Sequence, residues 1–129
     1  MQFIDVLVTC PDRQTASRIA RVCVNERLAA CANIGEQIES IYRWKGQIEE
    51  AMEFPLLLKT RAELFDRLAA RVKAEHPYET PCIIATELTQ IDPAYAKWLG
   101  EETGDWISSS RRGRQTSPSK TSSGWKSDL

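Results

Sequence analysis

Apolar and polar positions alternate from the start of the chain. Ile4, Val6, Val8 and Cys10 share one parity, and Phe3, Asp5, Leu7 and Thr9 the other. That period predicts a strand with one strongly apolar face. The pattern breaks at "CPDRQT", where Asp12 suits a helix N-cap. The period then lengthens: Ala16, Ile19, Ala20, Cys23, Val24 and Leu28 follow helical spacing, with Arg13, Arg18, Arg21 and Arg27 on the polar side. "AACANI" (29–34) opens a second strand that alternation at Ile38, Ser40, Tyr42 and Trp44 continues. Gly46 stands between two strand-like runs, a hairpin signal, and "AMEFPLLLKT" is the returning strand. Pro55 within it implies an edge, a bulge or a bend.

"TRAE" (60–63) has the form of a capping box, and Leu64, Phe65, Leu68 and Val72 mark a helix running to about Glu75. Pro77 ends it, and "CIIATEL" is a further strand. Asp92 and Pro93 start a short last helix, with Gly100 and Gly104 as stop signals. The order β-α-β-β-α-β plus a terminal helix predicts an α+β, ferredoxin-like split sandwich: an antiparallel sheet with two helices on one face. Its strand order, 4-1-3-2, gathers Cys10, the Trp44–Gly46 turn and the 76–82 segment at one end. Cys31 falls toward the other end.

Composition divides the chain. Residues 1–104 hold 12 Lys and Arg against 16 Asp and Glu, whereas 105–129 hold 5 against 2 and are rich in serine. The expectation is one folded domain over 1–104 and a disordered basic tail over 105–129, in which Trp106 and Trp125 are the anomalies. A mildly acidic body argues against a nucleic-acid surface. No apolar run approaches the roughly 20 residues of a membrane span. Without a basic leader, Cys10, Cys23, Cys31 and Cys82 read as reduced thiols of a cytoplasmic protein, and the absence of any CxxC pair excludes a zinc ribbon or thioredoxin-type motif.

The chemistry concentrates in "HPYETP", residues 76–81, where two prolines hold a tyrosine and a glutamate in irregular structure. A thiolate and an imidazole at one end of the fold suit copper or zinc, but two donors do not close a site. Glu75, Glu79 or a second chain would supply the rest. Each candidate also has a plainer reading. His76 would interact with the dipole at a helix C-terminus; Cys10, Cys31 and Cys82 would serve as small apolar residues; Trp44 would pack the hairpin. Glu79 would pair with a base of a neighbouring subunit, Lys59 would be a cleft or solvated cation, and Glu49, Glu50 and Glu53 would form a solvated face.

Four phrases, "RLAACANI" (27–34), "SIYRWKGQIEE" (40–50), "LLLKT" (56–60) and "HPYETPCI" (76–83), stand in an order and at separations that resemble the CutA family of divalent-cation tolerance proteins. The resemblance spans roughly residues 3–102. It implies a homotrimer similar to the PII signalling proteins, a cytoplasmic location, a link to metal tolerance with copper binding, and no established catalytic activity. By resemblance the metal positions are Cys10 and His76, with Glu75 where some members carry a second histidine. The cleft between subunits would be lined by Trp44, Lys59, Tyr78, Glu79 and Cys31. The long apolar hairpin, with Tyr42, Trp44, Phe54 and Pro55, supports self-association because its edges need cover. Two other functions fit less of the pattern: an enzyme using Tyr78, Glu79 and Lys59 as acid–base groups, and a structural trimer that binds partners through its basic tail.

Overall fold

The computed structural model describes residues 1–104; the expected disordered tail, 105–129 with Trp106 and Trp125, lies outside the described residues. The elements are β1 (Phe3–Cys10), α1 (Arg13–Asn25), β2 (Cys31–Ile34), β3 (Ile38–Trp44), β4 (Gln47–Arg61), a turn of 3-10 helix (Ala62–Leu64), α2 (Phe65–Glu75), β5 (Ile83–Leu88) and α3 (Pro93–Glu101). The strands form an antiparallel sheet in the order β2-β4-β1-β5, with β3 paired to the far half of β4. This is the ferredoxin-like order expected from the pattern.

The two parities of β1 separate the faces of the sheet. Ile4, Val6, Val8 and Cys10 join Leu56 and Leu58 beneath Ile19 and Cys23 of α1 and Leu68 and Val72 of α2, forming one core. Asp5, Leu7 and Thr9 look out on the opposite, open face, with Lys59, Leu57 and Pro55 directly across on β4. α3 packs at one end of the domain, where Gly100 approaches Phe3. Arg61 ties it down, donating to the Gly100 and Thr103 carbonyls at 2.7 and 2.6 Å.

Local signals explain most boundaries. The Asp12 carboxylate accepts from the Thr15 amide at 2.7 Å and opens α1. Asp92 accepts from the Ala94 and Tyr95 amides, with Pro93 at the first helical position. Lys45 and Gly46 both have positive φ, 51° and 80°, as a two-residue type I′ hairpin turn requires.

Five expectations differ from the structure. The single strand expected from "AACANI" onward is two, β2 and β3, because the chain leaves the ladder where it meets Pro55. The Gly35 amide donates to the Pro55 carbonyl at 2.9 Å, and a Cβ on Gly35 would stand 2.9 Å from the Pro55 ring. "TRAE" is not a capping box: β4 runs on to Arg61, Thr60 turns into the core opposite Ile4, and no side chain caps the 3-10 turn. Val24, expected in the core, is exposed. Arg27, expected in solvent, is half-buried with positive φ and donates to the Glu101 carbonyl at 2.6 Å. Gly100 lies inside α3 rather than ending it.

Candidate functional site

The segment 76–82 leaves α2 and folds across the open face. His76 is the residue that pins it. Its Nε2 faces the Thr9 carbonyl of β1 at 2.9 Å, and its Nδ1 faces the Tyr78 amide at 3.1 Å. A carbonyl only accepts and an amide N–H only donates, so the proton belongs on Nε2 and the Nδ1 lone pair is used. Two residues on, the Tyr78 hydroxyl donates to Glu53 Oε2 of β4 at 2.9 Å. This chain, β1 to His76 to Tyr78 to Glu53, fixes the proline-bracketed turn beside the hairpin. Between them is a cavity of about 550 Å³ lined by Thr9, Ser40, Tyr42, Trp44, Glu53, Tyr78, Glu79, Thr80 and Cys82. Register explains the lining: Ser40, Tyr42 and Trp44 face the same side as Ile38, which lies opposite Glu53.

Of the expected cleft residues, Trp44, Tyr78 and Glu79 come together here. Lys59 and Cys31 do not. They sit opposite each other on β4 and β2 at the other end of the open face, where Lys59 Nζ donates to Asn33 Oδ1 at 3.0 Å and lies 3.8 Å from Asp5 Oδ1. Burial, then the neighbouring Cys31, pushes the Tyr95 hydroxyl there up to about 12. Cys31 also borders a larger groove, about 660 Å³, between α1 and β2; its lining is otherwise alanine, valine, Arg21 and Asn25.

Glu75 and His76 adjoin at the end of α2, and His76 reaches the Thr9 carbonyl next to Cys10, but all three expected metal positions are already engaged. Cys10 is fully buried on the core face. Burial first, then the charges of Asp12 and Glu53, pushes its thiol up to about 11, away from the thiolate a soft metal needs. His76 spends both ring nitrogens on backbone groups. Glu75 is held by Arg71 at 2.8 Å and Arg18 at 3.3 Å, and the Arg71 contact keeps its carboxyl below the usual range. Among the described residues no group of three or more His, Cys, Asp and Glu side chains is placed to hold a metal ion. As it stands, the Cys10, His76 and Glu75 set offers no ready coordination site.

Glu53 is a pocket residue that the pattern of the sequence does not single out. It was expected on a solvated face with Glu49 and Glu50, which are indeed exposed, but it is 6% exposed and closes the pocket. A signal existed: Glu53 alone of the three stands between two apolar neighbours, Met52 and Phe54. Its charge and burial raise the Tyr78 hydroxyl well above its ordinary value, burial being the larger cause. The Cys82 thiol rises for the same two reasons. Cys82, expected as a structural residue, therefore lines the pocket as a protonated thiol.

The model of the family described as CutA1 divalent ion tolerance protein matches residues 4–102. The chain belongs to the CutA1 family. It is 46% identical over 99 residues to the divalent-cation tolerance protein CutA of Thermus thermophilus, covering 77% of this chain and 96% of that one. The solved Thermus thermophilus protein superposes with a TM-score of 0.77 at 45% identity, over 79% of this chain and 99% of that chain. The Archaeoglobus fulgidus structure, named as a periplasmic divalent cation tolerance protein CutA, gives 0.75 at 38% identity, over 78% and 97%. The four phrases that carried the resemblance all fall inside the matched span. The CutA1 name describes tolerance of a divalent ion, not a reaction, and it links the chain to divalent metals. No helix among the described residues is long and apolar enough to cross a membrane.

Proposed function

We propose that this chain is a homotrimeric, PII-like binding and signalling protein of the cytoplasm that responds to a divalent cation, copper(II) first, without turning over a substrate. The observation that carries the reading is the hairpin β3–β4. It exposes large apolar side chains on both faces: Ile41 and Ile48 are each 65% exposed on one, and Tyr42 and Trp44 stand on the other. Beyond β4, β3 also has an open edge. Such a surface calls for a partner, and a second and third copy of the chain supply it around a closed axis. The pocket at the hairpin's root would then be completed between subunits.

Cys10 and His76 lie behind that pocket. His76 acts first by positioning the segment that carries Tyr78 and Glu79; for His76 or Cys10 to ligate an ion directly, the Thr9 and Tyr78 bonds or the core burial would have to be given up. The enzymatic alternative is weakened by two facts. Lys59 is not in the pocket, and the Tyr78 hydroxyl is held well above its ordinary pKa, far from a working acid–base value.

Light scattering on the full chain, with and without one equivalent of copper(II), tests the reading. The expected result is three times the chain mass of 14.6 kDa in both samples, with copper retained, and weaker retention in His76→Ala. A monomer contradicts the assembly. A trimer that keeps no copper contradicts the metal assignment.

A further inference from the structure

Glu53 is more than nine-tenths buried, yet its one hydrogen bond among the described residues comes from the neutral Tyr78 hydroxyl. No lysine, arginine or histidine forms an ion pair with it among the described residues. Buried carboxylates are ordinarily matched by a cation, and this one opens onto a cavity. The missing charge is therefore to be brought by whatever enters.

The walls and the size of the cavity decide which kind of cation fits. Tyr42, Trp44 and Tyr78 present aromatic rings, which attract a weakly hydrated cation through their π faces and offer poor coordination to a metal. Trp44 already holds one ammonium this way: Lys45 Nζ stands 5.5 Å from its ring centroid. A volume of about 550 Å³ lies in the range of organic-ligand pockets. A single water takes roughly 30 Å³, so a lone metal ion would leave most of the space unfilled.

We infer that the Glu53 pocket binds an organic monocation of the alkylammonium class, with Glu53 as its counter-charge and Tyr42, Trp44 and Tyr78 as its aromatic walls. The inference rests on the reading of this protein as a binding module and names a ligand class for its pocket. Glu79, exposed at the rim, adds a second negative charge along the entry path.

The probe pair is choline and dimethylbutanol, in which a carbon replaces the quaternary nitrogen and the shape is kept. Titration calorimetry on the full-length protein should show choline binding at least about tenfold more tightly than dimethylbutanol. Glu53→Gln keeps an acceptor for the Tyr78 hydroxyl and should lose at least about tenfold of the choline affinity. Trp44→Leu should lose about three- to tenfold; with light scattering showing its assembly unchanged, it decides the matter should Glu53→Gln fail to fold. Equal affinity for the two probes overturns the inference. So does unchanged choline affinity in the variants, or no choline binding at all, as when a basic side chain of a neighbouring copy fills the pocket. Copper(II) titration of the same trimeric sample separates the two claims. Copper retained without choline binding sinks only the alkylammonium pocket, and choline bound without copper sinks only the metal assignment.

Discussion

The open face of the sheet carries a carboxylate at each end, and the two are treated differently. Asp5 has a cation of its own chain, Lys59, at 3.8 Å, which Asn33 steadies at 3.0 Å. Glu53 has a tyrosine hydroxyl and a cavity. An acid neutralised within the fold belongs to the fold; a buried acid with no base among the described residues leaves the charge that the proposed ligand would match. The tyrosines follow suit. Tyr95 beside Cys31 and Tyr78 beside Glu53 are both raised mainly by burial, and Tyr78 lines the pocket that Glu53 closes.

Breaking the Asp5 end should have the largest effect on stability. Lys59→Met strands Asp5, whose buried Oδ1 has no hydrogen bond among the described residues, and should cost about 2–3 kcal/mol in chemical denaturation. Asp5→Asn in that background should restore part of the loss, leaving a double-mutant coupling of about 1 kcal/mol. Next is the bend that joins the two ends. Gly35→Ala puts a Cβ 2.9 Å from the Pro55 ring and should destabilise by about 1–3 kcal/mol, with Pro55→Ala relieving it. Glu53→Gln should move stability by less than about 1 kcal/mol, since the bond from Tyr78 survives. A drop as large as that of Lys59→Met would erase the contrast between the ends.

Alkaline titration reads the raised thiol and hydroxyl groups. The folded chain holds the Cys10 thiol to about 11 and the Tyr95 hydroxyl to about 12, above their unfolded values near 9 and 10. The sign follows from linkage: the stability is fully present below the unfolded values and is lost as pH rises through the folded ones. Thermal midpoints should therefore fall between about pH 9 and 12. The tyrosinate absorbance of Glu53→Gln should rise at lower pH than in the wild type, because Tyr78 loses a charged neighbour.

Periodicity sufficed for elements whose causes are local. β1 could be read from alternation, α1 from Asp12 and its apolar stripe, the hairpin from Gly46, and α3 from Asp92-Pro93. The gathering of Trp44, Tyr78 and Glu79 followed once the strand order was known. What escaped was set by distant contacts. The division of β2 from β3 depends on Gly35 meeting Pro55, twenty positions away in the chain. Thr60 looked like a cap because nothing local says that β4 runs one residue past it. The tautomer of His76 needs the Thr9 carbonyl and the Tyr78 amide together, and these turn an apparent metal ligand into a clamp. Glu53 was hidden for a related reason: only the fold of the 76–82 segment over the hairpin root removes it from water.

Amide-resolved NMR of the full chain titrated with choline reports on both ends of the open face at once. Shifts confined to the neighbourhood of Tyr42, Trp44, Glu53 and Tyr78, with Asp5, Asn33, Lys59 and Cys31 unmoved, are the predicted result. Shifts centred on the Asp5–Lys59 end, or none at either end, would contradict it.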